Sequence, residues 1–169
     1  IAGGELWTLV SEHAEALRDG DPAVTSRAVQ LCVRTKAEIV AQDEREGGVR
    51  AVLNAGHTVG HALERALGYG VVRHGEAVAM GLVAEARYAE AVGVCEQSGL
   101  ERTLTSLAER LGLAVRPPAT SLNDRVQAAA MDKKAVGDMV RVPLPVRPGR
   151  FVFRDLDPGA LARLVGDAE

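Results

Sequence analysis

The 169-residue sequence predicts a mainly α-helical chain carrying one short β-hairpin near its C-terminus. Three observations lead there. Apolar residues recur at spacings of three and four through most of the chain, the signature of helices with one buried face. Helix punctuation returns at intervals, at Asp21-Pro22, Gly47-Gly48 and Gly68-Tyr69-Gly70. The period then shortens around Pro148-Gly149, a type II turn pair flanked by Met139-Val-Arg-Val-Pro-Leu and Arg150-Phe-Val-Phe.

The elements follow in order. Leu6, Leu9, Val10, His13 and Leu17 predict a first helix, broken by Asp19-Gly20-Asp21-Pro22. Asp21 is placed to cap the next helix with Pro22 at its first position, where a missing N–H costs nothing. That helix is expected to run through Val29, Val33, Ala37 and Val40 towards Asp43 and to end near Gly47-Gly48. A further helix is expected from about Asn54 to Leu67, stopped by Gly68. Residues from Gly75 to Val92 are Ala-rich and apolar on nearly every face, which predicts the central buried helix. Ser98-Gly-Leu-Glu101 has the capping-box pattern for a helix ending at Gly112. Pro117-Pro118 reads as a linker and Ser121 to Met131 as another helix; after the hairpin, Asp157-Pro158 opens a closing helix.

Composition excludes several classes of function. The chain is 47% hydrophobic and 25% charged with net charge −3, ordinary values for a globular protein and not for a disordered chain or a cationic nucleic-acid binder. Aromatic residues are only 3%, too few for base-stacking surfaces. No apolar run approaches the roughly 18 residues of a membrane span, and no basic-then-apolar leader opens the chain. Cys32 and Cys95 lie far apart in no metal-type spacing and read as buried reduced thiols. A cytoplasmic protein with no nucleic-acid or membrane partner is expected. Seventeen Arg stand against only three Lys, namely Lys36, Lys133 and Lys134. A compact ammonium and a planar guanidinium are not interchangeable, so those three positions are candidates for a role that Arg does not fill.

The chemistry concentrates in one stretch. His57 and His61 stand at i and i+4 and would project from one helix face, with Glu64 continuing the stripe. Paired imidazoles at that spacing suit zinc, and His74, before Gly75-Glu76 at an expected helix start, is placed to join them. Glu64 reads as a helix-surface carboxylate. Upstream, Glu46 is a candidate proton acceptor and Arg50 a candidate anion clamp, because guanidinium pairs bidentately with carboxylate or phosphate. Gly68-Tyr69-Gly70-Val71-Val72-Arg73 fails the dinucleotide fingerprint: it lacks the last Gly and follows no strand. No cofactor-binding residue for NAD is expected in this chain.

Taken together, Lys36-Ala-Glu-Ile-Val, Asp43-Glu-Arg-Glu46, Arg50-Ala-Val-Leu-Asn54-Ala-Gly-His57-Thr-Val-Gly-His61-Ala-Leu-Glu64, His74-Gly-Glu-Ala-Val-Ala and Asp132-Lys133-Lys134 resemble 3-dehydroquinate synthase, in order and with family-like spacing. The resemblance is to that family's C-terminal helical half. It implies His57 and His74 as zinc (or cobalt) ligands, where spacing alone would pair His57 with His61. It implies His61 and Glu46 as acid/base residues, and Lys36, Arg50, Asn54 and a lysine of the Lys133-Lys134 pair as substrate contacts. The third metal ligand would be a Glu just upstream of Ile1, and NAD would be held by an N-terminal Rossmann-like half absent from this chain. The start at Ile1 is accordingly expected to be a cut inside a longer enzyme, a homodimer when complete.

The reaction so implied closes 3-deoxy-D-arabino-heptulosonate 7-phosphate into the carbocycle 3-dehydroquinate with loss of phosphate, in the shikimate route to aromatic amino acids. The 169-residue chain alone is expected to be inactive. Three other readings compete: a sugar phosphate cyclase of valiolone or inosose type, a metal-dependent dehydrogenase of the glycerol dehydrogenase type, and a non-catalytic helical interaction module. Arg50 and Asp132-Lys133-Lys134 favour the carboxylated substrate over the first, and the Arg50-to-Asn54 and Lys133-Lys134 features set the chain apart from the second.

Overall fold

The computed structural model describes residues 1–45, 48–116, 124 and 139–166. Helices dominate them: α1 (Gly4–Glu12), α2 (Ala14–Arg18), α3 (Pro22–Gln42), α4 (His57–Leu67), α5 (His74–Ala91), α6 (Leu100–Arg110) and α7 (Pro158–Gly166). A 3-10 turn at Val49–Asn54 precedes α4, and an antiparallel hairpin of β1 (Val140–Arg147) and β2 (Arg150–Leu156) precedes α7. The mainly helical class with a C-terminal hairpin is therefore as expected. The expected Ser121–Met131 helix and the Pro117-Pro118 linker lie outside the described residues.

Local chemistry accounts for several element boundaries. Asp21 accepts a hydrogen bond from the Val24 amide at 2.9 Å with Pro22 at the first helical position, the cap its sequence predicts. Asp157 does the same for α7, accepting from the Ala160 amide at 2.7 Å. Gly149 sits at φ +77°, the left-handed conformation that a Pro-Gly type II turn requires. The hairpin pairs Val142 with Arg154 and Leu144 with Val152. The Cys95–Gln97 segment closes on β1, with the Glu96 and Gln97 amides both donating to the Val146 carbonyl.

The core forms where α4, α5, the hairpin and α7 meet. Val59 and Leu63 of α4 join Met80, Ala84 and Tyr88 of α5, Val142 and Leu144 of β1, and Leu161 and Leu164 of α7. α5 is the central helix, buried from Ala77 to Ala89 on most faces. It approaches α4 at glycines: Gly60 and Gly81 stand where a Cβ would press on the facing backbone, and at Gly81 it would overlap the Gly56 carbonyl.

Several sequence expectations are corrected. The first helix divides at His13, whose backbone leaves the helical region, into α1 and α2. α3 ends at Gln42, short of the expected Gly47-Gly48, because Asp43 turns the chain. Its anticipated apolar stripe faces outward: Val29 is 56% and Val33 63% exposed, while Leu31 is buried. Cys32, on that outward face, is exposed and Cys95 half-buried, so neither is the buried thiol expected, although both are free. α4 starts at His57 instead of Asn54. Ser98 does not cap α6, whose N-cap is Gly99 at φ +74°; the Glu101 amide donates instead to Glu90 of α5 at 3.1 Å.

Candidate metal and substrate site

The site begins with a turn that only glycine can make comfortably. Gly56 is buried at φ +78° against α5, and its amide donates to Oε2 of Glu85 at 2.7 Å. Glu85 is fully buried on α5, so this hydrogen bond ties the α4 start to the central helix. His57 follows at once. Its Nδ1 lies 3.1 Å from the Ala55 carbonyl oxygen, and since a carbonyl only accepts, Nδ1 carries the proton. In the neutral ring Nε2 then keeps its lone pair.

One helical turn later comes His61, and Glu64 lies three residues beyond on the same face. α5 delivers the remaining imidazole, because His74 is its first residue. The Arg73 amide donates to Glu76 Oε2 at 3.1 Å, and the Arg73 guanidinium pairs with Glu76 Oε1 at 2.5 Å. That side-chain bond from Arg73 holds the Glu76 carboxyl below its ordinary range and pins the first turn of α5.

Three imidazoles thus converge. Ring centroids lie 5.5 Å apart for His57 and His61, 5.3 Å for His57 and His74, and 5.8 Å for His61 and His74. Nδ1 of His74 is 3.3 Å from Oε2 of Glu64. Donor atoms of His61, Glu64 and His74 all fall within 4.8 Å of one another. Neutral imidazoles with an adjacent carboxylate are a donor set that suits zinc or cobalt. Glu64 was expected to be a surface carboxylate, yet its side chain is only 12% exposed. Its place in the i, i+4, i+7 stripe was the available signal; its proximity to His74 depends on how α4 and α5 pack.

The other expected residues divide. Arg50 and Asn54 lie on the 3-10 turn that leads into His57 and packs against α3, the helix of Lys36. Lys36 is exposed and makes no ion pair among the described residues. Arg50 is half-buried; its Nη1 donates to the Glu44 carbonyl at 2.8 Å. Asp43, which sequence reasoning passed over, organises this loop: Oδ2 accepts from the amides of Gly48 at 2.8 Å and Arg50 at 2.9 Å. Glu46, Lys133 and Lys134 lie outside the described residues. Gly68–Arg73 joins α4 to α5 and follows no strand.

Comparison with known proteins assigns the family. Residues 1–135 match the family model described as "3-dehydroquinate synthase C-terminal". The chain belongs to the 3-dehydroquinate synthase family. It is 46% identical over 144 residues to the 3-dehydroquinate synthase of Symbiobacterium thermophilum, covering 84% of this chain and 40% of that protein. It is likewise 46% identical over 132 residues to that of Halorhodospira halophila, covering 78% and 37%. The chain thus spans well under half the length of these synthases. Among solved structures, a 2-epi-5-epi-valiolone synthase from Streptomyces hygroscopicus subsp. jinggangensis with NAD+ and Zn2+ bound superposes with TM-score 0.82 at 22% identity, over 99% of this chain and 47% of that one. A 2-deoxy-scyllo-inosose synthase complexed with carbaglucose-6-phosphate, NAD+ and Co2+ gives 0.73 at 17%, over 93% and 50%. At such identities these two establish the fold. In this chain it is the packing of α4 against α5 that brings His57, His61 and His74 together.

Proposed function

We propose that this chain is the helical metal- and substrate-binding part of a 3-dehydroquinate synthase, a phosphate-eliminating lyase that converts 3-deoxy-D-arabino-heptulosonate 7-phosphate into 3-dehydroquinate. The observation that carries the proposal is the convergence of His57, His61 and His74 in a chain of this family. NAD would be held by an N-terminal half that this chain does not contain, and the complete enzyme would act as a cytoplasmic homodimer in the shikimate route.

His57 and His74 are proposed as metal ligands through Nε2, supported by the acceptor that faces Nδ1 of each ring. A Glu preceding Ile1 would complete the set, leaving a coordination position open for substrate. Bound there, zinc or cobalt would lower the pKa of substrate hydroxyls and orient the reacting carbon. The protein's own residues do the rest. His61, one turn from His57, would exchange protons with substrate near neutral pH, and Glu46 would act as the second acid/base group. A substrate bearing both a carboxylate and a phosphate requires several fixed cations. Lys36, Arg50 and Lys133 or Lys134 would supply them, with Asn54 hydrogen-bonding beside them. Arg50 suits the role because Asp43 fixes its backbone and Glu44 its guanidinium orientation.

The test uses the full-length protein. Phosphate release from the seven-carbon keto-acid sugar phosphate is expected, with none from sedoheptulose 7-phosphate, which lacks the carboxylate. The reverse preference would instead assign a valiolone-type cyclase. Lys36→Ala and Arg50→Ala should each raise KM about 10- to 100-fold, the loss of one hydrogen bond to a charged group. An unchanged KM removes that residue from the substrate site.

A further inference from the structure

We propose that Glu64 is a positioning residue of the metal centre, holding His74 with Nδ1 protonated and Nε2 turned to the metal, and is not itself a ligand. The inference deepens the metal-site assignment above and rests on it.

His74 needs such a partner. It is the first residue of α5, and its side chain is 55% exposed, so its ring has few packing constraints on rotation. Glu64 is the carboxylate placed against it, at 3.3 Å from Nδ1, and is itself mostly buried at 12% exposure. A buried carboxylate is costly unless it accepts hydrogen bonds or faces a cation. The adjacent guanidinium of Arg73 is already engaged by Glu76. Glu64 is therefore best satisfied by an Nδ1–H donor, and a neutral imidazole that supplies this proton presents Nε2 as its basic atom.

His57 offers the same arrangement by different means, since its Nδ1 faces the Ala55 carbonyl. Both proposed ligand rings thus have an oxygen acceptor at Nδ1, one from backbone and one from a side chain. Carboxylate contacts of this kind fix the tautomer and ring orientation of a ligating histidine and increase its basicity. The oxygen of Glu64 also falls among donor atoms close enough to share an ion with His61 and His74. Direct ligation by Glu64 would however add a fourth protein ligand to the two histidines and the Glu proposed to precede Ile1. That would close the position a catalytic ion keeps for substrate.

The experiment compares Glu64→Ala, Glu64→Gln and His74→Ala in the full-length protein, with folding checked by circular dichroism. Zinc affinity is measured by competition with a chromophoric chelator, and the ligand set by the visible spectrum of the cobalt-loaded form. Glu64→Ala is expected to weaken zinc binding about 10- to 100-fold. Glu64→Gln, which keeps an acceptor oxygen, should recover most of that loss, and both should retain the cobalt coordination number of the parent. Parent-like zinc affinity in Glu64→Ala, with affinity lost in His74→Ala, would overturn the positioning role while leaving the metal site standing. A lost cobalt ligand in both Glu64 variants would overturn it in favour of direct coordination. Parent-like zinc affinity in His74→Ala would remove the metal-site assignment itself and Glu64's role with it.

Discussion

Gly81 decides how near the metal-bearing helix can lie to the centre of the molecule. A Cβ on Gly81 would overlap the Gly56 carbonyl, one residue before His57. Adding that methyl forces the α4 start away from α5 or strains the backbone, an overpacking cost of about 1–3 kcal/mol. Gly81→Ala should therefore lower the urea midpoint and, by displacing His57, weaken zinc binding as well. Gly75→Ala is the control, since a Cβ there meets nothing within 4 Å. Its midpoint should be unchanged or slightly raised, because Ala loses less backbone entropy in a helix. Equal midpoints for the two variants would mean that α4 and α5 do not depend on this close approach.

Helices at the other end of the chain are joined by charge. Arg110 of α6 grips Glu15 of α2 with two bonds, 2.6 Å from Nε and 2.8 Å from Nη2, and its Nη1 donates to the Ser11 carbonyl at 2.8 Å. The hydrogen bonding of Arg110 lowers the Glu15 pKa from 4.5 to about 2. A carboxyl depressed in the folded state stabilises above its unfolded pKa, and that contribution disappears as pH falls through the folded value. The contribution of this pair should thus be complete above about pH 4.5 and be lost progressively towards pH 2. Both partners are solvent-exposed, so the effect is small and screened by salt. Urea midpoints of parent and Glu15→Gln, taken from pH 6 to pH 2 at low salt, should differ at the upper end and converge at the lower. A difference that persists unchanged at pH 2 would assign the loss to packing instead.

For the whole molecule, the chain spans 40% of one curated relative and 37% of another. No dinucleotide-binding fold occurs among the described residues, which hold a two-stranded sheet and helices. In the proposed reaction, hydride transfer would need NAD held against the substrate carbon that the metal would orient, a placement that would depend on parts of the protein outside this chain. The 169-residue chain by itself should release no phosphate from the keto-acid sugar phosphate, under conditions where the full-length protein does, and should bind zinc more weakly. Turnover by the chain alone would overturn the assignment of NAD to another part of the protein. Among the described residues no helix is long and apolar enough to cross a membrane. Val29 and Val33 of α3 are exposed, because which face of a long surface helix is covered depends on what is packed around it.

Features set by neighbouring residues were legible in the sequence. Asp21-Pro22 and Asp157-Pro158 start helices through bonds that close within three residues, and Pro148-Gly149 determines its turn through φ alone. The i, i+4 spacing brings His57 and His61 to one face, and the Ala-rich segment from Gly75 to Val92, apolar on nearly every face, reports a helix surrounded by protein. Tertiary structure decided the rest. Gly56 leaves the helix because α5 passes against its carbonyl, so α4 starts at His57 and not at Asn54. Val29 and Val33 point outward because α3 buries Leu31 instead. Glu64 becomes a partner of His74 only when α4 and α5 pack together, ten residues apart in the chain. Hydrogen bonds within a turn are encoded by local spacing, whereas the environment of a carboxylate is a property of every element packed around it.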